Sequence, residues 1–398
     1  MYINSLLKAL KWVLNSRFSL LFILFALWMY RVAFMSDSGQ GLEKALQVIT
    51  IFGMLFILLQ YNCNIVPQTY LYSNWPLRSC VLLYTWGVLS TLWAYLPSFA
   101  FFLAFQNIVI IFLLFWLFGR CKSFEQAERT FLIASSLLLV FILISTRIDS
   151  PTFFVHHLSS GSSAALLFSY AIGEYISRNK KDRKRSKILK GCIILSLFII
   201  ITSTSSGANV SALVGLAVAL FFSRKIYWTI LIIFTAIALF LLQEQAEAFM
   251  FMLMPGKTMD IVETANGRDT LWELIIENAH IKPILGWGFA CIERVVTDQG
   301  FDAVDSHNNY LGIYGSLGIV GCVFLFLHLS SMCLYSLKRI KHKGFLGIFA
   351  ATCAAIVNGY SYGFLSGKAS AITVMYFALV VLTFMYSRKL LLNGRDIK

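Results

Sequence analysis

Long apolar runs alternate with short polar segments along most of this chain. A helix that crosses a bilayer needs about 20 predominantly apolar residues, and the pattern predicts about twelve such spans. They lie at roughly 18–35, 44–61, 79–95, 98–119, 130–147, 153–176, 188–204, 207–223, 226–242, 308–336, 345–364 and 369–387. No internal repeat or low-complexity linker divides them. We therefore expect an all-α, polytopic membrane protein with a single integral membrane domain over residues 1–398.

The start of the chain has its own pattern. Residues 1–16 combine several leucines with Lys8 and Lys11, which suits an amphipathic helix at the membrane interface. The first apolar run lacks a cleavage site of small residues, so we expect it to remain as an anchor after membrane insertion.

One long polar segment, residues 243–306, interrupts the apolar pattern before the tenth span. Apolar residues recur at helical spacing in its second half, at Leu271, Trp272, Ile275, Ile276 and Ala279. This spacing predicts an amphipathic helix on the membrane surface that ends at Pro283. Asp305 or Ser306 is then expected to cap the next transmembrane helix, which would put His307 in its first turn.

The composition and charge agree with a membrane protein. Charged residues make up 13% of the chain, whereas a soluble domain carries about 25%. The net charge of +14 could indicate nucleic-acid binding, but the basic residues cluster in short loops, as the positive-inside rule describes. With the N-terminus inside, the basic loops such as 178–190 are cytoplasmic and 243–306 is periplasmic. None of the eight cysteines forms a C-x-x-C pair, so we expect no metal site.

His307 is the strongest candidate for a catalytic residue. A helix N-terminus carries a positive field, which lowers a histidine pKa and favours the neutral imidazole that a general base needs. The same field attracts a phosphate or pyrophosphate group. The alternative is an interfacial histidine that only caps hydrogen bonds.

Arg268 lies at the start of the predicted surface helix. Its guanidinium could bind phosphate oxygens in a bidentate fork. The alternative is a solvated loop arginine or a contact to a lipid headgroup.

Two further groups of polar residues lie near the predicted outer face. The uncharged stretch 202–209, which contains Ser206, could line a polar cavity or form a tight turn between helices. Arg147, His156 and His157 cluster at the outer ends of the fifth and sixth spans, where they are either functional or explained by snorkelling.

The segment 266–321 resembles the large loop and following helix of the O-antigen ligase family, which also holds O-antigen and exopolysaccharide polymerases. The matching motifs are Gly267-Arg268-x-x-Leu271-Trp272, Pro283-x-x-Gly286-x-Gly288-Phe289, His307-Asn308-x-Tyr310-Leu311 and Gly318-Ile319-x-Gly321. The resemblance implies a GT-C-like, metal-independent glycosyltransferase without a cofactor. Such enzymes act at the periplasmic face of the bacterial inner membrane and take glycan from an undecaprenyl-pyrophosphate carrier.

The resemblance also implies roles for individual residues. Arg268 would hold the donor pyrophosphate and His307 would activate the acceptor hydroxyl. Substrate contacts would come from neighbouring motif residues and from the outer polar groups, at Trp272, Asn308, Tyr310, Arg147 and Ser206.

One departure from the family pattern concerns a second arginine. Relatives often carry Ser-Arg-Gly where this chain has Ser205-Ser206-Gly207, with Ser206 in the position of the arginine. Either another cation substitutes, with Arg147, Lys257 and Arg294 as candidates, or the two segments do not correspond.

Three functions remain open from the sequence. The first is an O-antigen ligase that moves polysaccharide onto a sugar hydroxyl of lipid A-core, with His307 as the base. The second is a polymerase that uses a lipid-linked repeat unit as acceptor. The third is a transporter or flippase, which would place charges at the bilayer midplane. The midplane positions here are nearly all apolar, which favours chemistry at the interface.

Overall fold

The computed structural model describes residues 23–28, 42–60, 74–145, 157–177, 182–203, 205–223, 268–301 and 305–395. Within these ranges the chain is helical and contains no strand. Residues 23–28 are helical. The longer helices are α1 Leu42–Gln60, α2 Trp75–Leu89, α3 Pro97–Gly119, α4 Phe124–Ser145, α5 His157–Ile176, α6 Arg183–Thr202, α7 Ser206–Phe222, α8 Arg268–Ile281, α9 Ile292–Asp298, α10 Asn309–Leu337, α11 Phe345–Asn358 and α12 Ala371–Arg395.

Polar side chains fix where several helices begin. The side chain of Asn74 accepts the Leu77 N–H at 2.9 Å at the start of α2. Asp182 does the same for Arg185 at 3.1 Å before α6. A capping oxygen of this kind satisfies one of the N–H groups that a first turn leaves without a helical partner.

Three helices in the described part of the chain are long and apolar enough to cross a membrane. They are Pro97–Gly119, Phe124–Ile144 and Asn309–Leu337. Four shorter apolar helices lie at Ala45–Gln60, Ser206–Phe222, Phe345–Asn358 and Ala371–Tyr386. This supports the predicted all-helical membrane protein but not the number of twelve spans. The predicted interfacial helix 1–16 and span 226–242 lie outside the described residues.

The helices pack around α5, which contacts α6, α7 and α11. On the other side of the bundle α10 packs against α2 and α11, and α12 packs against α3 and α4. The short α8 and α9 pack on each other and on the first half of α10 through Leu271, Ile275, Ile292 and Val296. The apolar face predicted for α8 is therefore largely covered by protein.

The predicted span 345–364 is wrong at its end, because α11 stops at Asn358 and residues 359–370 are irregular. Side chains from three other helices bind carbonyl groups of this segment. Tyr84 of α2 donates to Leu365 at 3.2 Å, and Asn107 of α3 donates to Gly367 at 3.3 Å. Thr373 of α12 donates to Phe364 at 2.8 Å. Non-helical backbone is tolerated between membrane helices when other parts of the protein satisfy it in this way.

The span predicted as one helix at 308–336 is kinked at Gly318, which has φ 64° and ψ −163°. The loop before α9 docks into the kink. Ile319 donates its N–H to Pro283 O at 2.8 Å, and Gly288 donates to Ser316 O at 2.8 Å. Glycine is required here because a Cβ would meet the Ile284 carbonyl and the φ is positive. The helix bends because a neighbouring backbone is inserted into its hydrogen-bond ladder.

Candidate functional site

His307 lies in a bend, residues 305–308, that leads into α10. The prediction that it occupies the first turn of the helix is wrong, because Asn308 is the capping residue. The Asn308 side chain accepts the N–H groups of Tyr310 at 2.9 Å and Leu311 at 3.1 Å. His307 itself has φ 51°, in the left-handed region. A non-glycine residue rarely adopts this conformation, and such residues are concentrated at functional sites.

Ser306, the residue before His307, is held on both sides. The indole N–H of Trp272 in α8 donates to the Ser306 carbonyl at 3.0 Å. The Ser306 N–H donates to Glu293 Oε1 of α9 at 3.3 Å. Trp272, for which the resemblance implies a substrate contact, thus uses its N–H within the protein.

Asp305 is the acidic neighbour of His307. One oxygen of its carboxylate accepts the His307 N–H at 3.2 Å. The other lies 4.0 Å from His307 Nδ1. Asp305 appeared in the sequence only as a possible helix cap, and its place beside the imidazole depends on the left-handed bend.

Arg268 faces the same bend from the start of α8. Its guanidinium donates to the Ser361 carbonyl at 3.1 Å, in the irregular segment after α11. Burial lowers the pKa of Arg268 and the charge of Asp305 opposes this change. Burial also lowers the pKa of His307, Asp305 raises it, and Arg268 lowers it further. The direction agrees with the sequence-based expectation, but burial contributes most, in place of the helix N-terminus that the sequence suggested.

Glu293 is a member of this site that the sequence analysis missed. Its side chain is buried in α9, and burial together with the charge of Asp305 raises its pKa to about 7. The sequence did hold a signal. Glu293 lies in a short helix whose Ile292, Val295 and Val296 are spaced for burial, so a charged residue among them is unusual.

The turn between α6 and α7 reaches the same place. Ser205 caps α7 by accepting the Ala208 N–H at 3.4 Å, and Ser206 is half-buried at the first position of the helix. Gly207 packs so closely on Ser361 that an added Cβ would overlap the Ser361 hydroxyl. Ser361 therefore contacts both this turn and Arg268. Ser205, Ser206 and Gly207 therefore border the site.

Tyr310 and its neighbour fix the beginning of α10 against the segment after α11. The Tyr310 hydroxyl donates to Ile356 O at 2.7 Å, and its ring lies 4.7 Å from that of Tyr360. Asn309 donates its backbone N–H to Gly359 O at 2.7 Å and accepts the Leu365 N–H at 2.7 Å. These bonds make the bend one unit with residues 359–366.

The other predicted candidates either lie outside the described residues or make contacts away from His307. Arg147, His156 and Lys257 lie outside the described residues, as does the side chain of His157. Arg294 of α9 stacks over the Phe99 ring, 5.3 Å from its centroid. Among the residues described, no three His, Cys, Asp or Glu side chains form a metal-binding group.

Residues 191–326 match the family model described as O-antigen ligase. No curated protein matches the chain. The matched segment runs from α6 into α10 and carries Ser206, Arg268, Glu293 and His307. All four lie within or beside the site described above.

Proposed function

We propose that this chain belongs to the O-antigen ligase family, whose model matches residues 191–326, and that it has a ligase- or polymerase-type function in lipopolysaccharide biosynthesis. The protein transfers polysaccharide from undecaprenyl pyrophosphate to a sugar hydroxyl of lipid A-core. The observation that carries this proposal is the meeting of Arg268, Asp305 and His307 at one bend, inside the matched segment.

His307 is the proposed general base. A sugar hydroxyl is a poor nucleophile at neutral pH, so it needs a neutral imidazole beside it. The lowered pKa of His307 keeps the ring neutral at physiological pH, and its side chain is 28% exposed, so a hydroxyl can reach it. Asp305 lies on the Nδ1 side of the ring, with its Oδ2 4.0 Å from that nitrogen, and the imidazole takes the hydroxyl proton.

In the transfer step, the acceptor oxygen forms a bond to the anomeric carbon as its proton moves to the His307 imidazole. The bond from that carbon to the pyrophosphate oxygen breaks, and undecaprenyl pyrophosphate leaves with one more negative charge. His307 then returns its proton to the leaving group or to water. A single displacement of this kind inverts the anomeric configuration, and no ATP is needed because the glycosyl-pyrophosphate bond is cleaved.

Arg268 is the proposed ligand of the departing pyrophosphate. Its bond to the Ser361 carbonyl fixes one N–H, and a guanidinium has five. Positive charge fixed in a partly buried site stabilises a developing negative charge more than it would in water. This supports a role in the transition state as well as in binding.

Ser206 borders the same space, and we propose that it contacts the donor through its hydroxyl. The arginine that relatives often carry there is replaced by another cation. Arg147 and Lys257 remain candidates for that second cation, whereas the guanidinium of Arg294 lies over the Phe99 ring of α3.

We propose that the site faces the periplasm across the inner membrane, in a chain of twelve spans. The support is the gathering of basic residues in loops such as 178–190. Labelling of single cysteine variants tests this orientation. A probe at exposed Lys184 should react only from the cytoplasm and one at exposed Glu277 only from the periplasm. Reaction at Lys184 from the periplasm would contradict the orientation.

The direct test uses purified protein in liposomes, an undecaprenyl-pyrophosphate glycan and purified lipid A-core. We expect the core to gain the glycan, with unchanged rates after treatment with a chelator, since the proposed mechanism needs no metal. The His307→Ala variant is the matched control. Absence of transfer to lipid A-core would overturn the proposal.

The glycolipids of a deletion strain separate the ligase from its alternatives. A ligase predicts unmodified lipid A-core with long chains still on the carrier. Single repeat units on the core would instead indicate a polymerase. Lipid-linked repeats retained on the cytoplasmic face would indicate a flippase.

A further inference from the structure

The peptide groups of Ser306 are bound by two side chains from outside the bend. Trp272 of α8 holds the carbonyl at 3.0 Å and Glu293 of α9 holds the N–H at 3.3 Å. Ser306 itself is fully buried. Since His307 follows directly, the two peptide groups that precede its left-handed backbone are held, one by α9 through the Ser306 N–H and one by α8 through the Ser306 carbonyl.

Packing alone does not explain why Glu293 occupies its position. Ile292 and Val296 already supply the apolar contact of α9 with Leu271 and Ile275 of α8. A carboxyl that is 7% exposed has lost most of its hydration, which costs free energy, and the charge of Asp305 adds repulsion. The bond to the Ser306 N–H offsets part of that cost, and it acts on the residue next to the proposed base.

We propose that Glu293 and Trp272 form a clamp on Ser306 that positions the His307 imidazole, and that both are positioning residues for glycan transfer. The inference rests on the proposed function. Neither side chain needs to touch the substrate in this role. The two arms of the clamp reach the bend from α8 and α9, which pack on each other, so a shift of either helix would move His307.

The groups that surround the bend set the electrostatic context of the clamp. Asp305 lies on the bend and Arg268 approaches it from α8. Tyr362 lies close enough to Asp305 for an electrostatic interaction between the two side chains. Glu293 approaches from α9, with a pKa raised to about 7. A clamp that works by hydrogen bonding requires only an acceptor oxygen at Glu293, whether or not the group is charged.

Two substitutions of Glu293 distinguish the hydrogen bond from the charge. Glu293→Gln keeps an oxygen that accepts the Ser306 N–H, so its kcat should stay within about threefold of the unmodified protein. Glu293→Leu removes the acceptor and should lower kcat by roughly ten- to a hundredfold, the usual cost of a misplaced catalytic group. KM for the donor should change little, since Arg268 is untouched. Equal loss in both variants, or no loss in either, would overturn the clamp.

The Trp272→Phe variant tests the second arm. It keeps an aromatic ring for packing and removes only the N–H that binds Ser306. If both arms act on one residue, the combined Trp272→Phe and Glu293→Leu change should cost less than the product of the two single losses. Fully multiplicative losses would mean that the residues act independently. Asp298→Asn is the matched control, because it alters the bond from α9 to Tyr95 at 2.6 Å and leaves Ser306 alone.

A readout that does not depend on activity separates this inference from the proposed function. Diethyl pyrocarbonate modifies neutral, accessible imidazoles, and peptide mass spectrometry gives the rate at each histidine. Glu293→Leu should change the rate at His307 several-fold while the rate at exposed His280 of α8 stays the same. An unchanged rate at His307 would overturn the clamp even if transfer were lost. If the unmodified protein transfers no glycan but the rate changes as expected, the proposed function fails and the clamp remains.

Discussion

Two groups of buried or half-buried charged side chains lie at opposite ends of α5, α6 and α11, and they differ in the partners that bind their charges. Where α6 begins, Arg185 binds carboxylates of Glu128 and Glu174. Tyr170 donates to Glu128 at 2.8 Å, and Glu174 accepts the N–H groups of Gly344 and Gly347 at the start of α11 at 2.9 and 3.0 Å. This group, the Arg185 cluster, pairs its charges with one another.

The group around His307 is built in the opposite way. Arg268 binds a backbone carbonyl, and Asp305 lies 4.0 Å from the imidazole, beyond hydrogen-bond distance. The carboxyl of Glu293 binds a backbone N–H. Here Arg268 binds a backbone carbonyl, whereas Asp305 and Glu293 each bind a backbone N–H. The Arg185 cluster joins α4, α5, α6 and α11 through ion pairs and hydrogen bonds, and the contrast supports our proposal that the outer group serves glycan transfer.

The strongest test of this contrast is at His307. His307→Ala and His307→Gln should each reduce transfer by roughly a hundred- to ten-thousandfold, because neither can take the hydroxyl proton. Reconstituted transfer, with the amount of protein checked by blot, measures the effect. Membrane insertion should remain normal. A glutamine variant that works at close to the normal rate would show that histidine only positions the acceptor.

Removing the cation of the Arg185 cluster should lower the stability of the protein. Arg185→Met leaves Glu128 and Glu174 buried without their cation, which costs about 3–5 kcal/mol when one partner of a buried pair is removed. Thermal unfolding in detergent should show the loss, while the rate per folded molecule stays unchanged. Exposed Lys184→Met is the matched control and should alter neither quantity. A stable Arg185→Met protein with impaired transfer would contradict the division between the two groups.

Arg268→Lys should weaken transfer although the charge is kept. An ammonium cannot reproduce the planar fork, and losing one charge-assisted contact costs on the order of 2–4 kcal/mol in the transition state. Arg294→Lys, which changes the stacking on Phe99, serves as the control in the same assay. If Arg268→Ala is fully active at normal abundance, this residue is only a headgroup contact.

The smallest expected effect is on the pH dependence of the transfer rate. Since burial lowers the pKa of His307, the base stays neutral below its ordinary value of about 6.5, and transfer should fall only as the pH drops through the lowered pKa. Asp305 raises this pKa, so Asp305→Asn should move the acid limb of kcat to still lower pH. An acid limb above 6.5 in the unmodified protein would show that another group controls the rate.

Local patterns in the sequence predicted much of the helical framework. The predicted spans 98–119 and 207–223 agree closely with α3 and α7, because their apolar runs have clear polar ends. The helix that carries Arg268 also followed from periodicity. The family motifs implied that Arg268 and His307 belong to one site, and the structure brings both residues to the bend at 305–308.

Features that depend on distant parts of the chain could not be predicted. The early end of α11 depends on donors such as Tyr84 and Asn107, far away in sequence. Likewise, the left-handed backbone of His307 depends on Asn308 taking the capping position and on the bonds that Ser306 makes to α8 and α9. No local pattern at residues 305–308 specifies those partners.

The kink at Gly318 has a consequence for protein engineering. The loop at 283–288 completes the hydrogen bonds of α10, and the kinked backbone has no room for a side chain. The loop therefore cannot be removed without disturbing α10, because its backbone completes the hydrogen bonds of that helix. A chimera made to change the acceptor should exchange the loop and α10 together, since a junction between them would separate the two halves of one hydrogen-bonded unit.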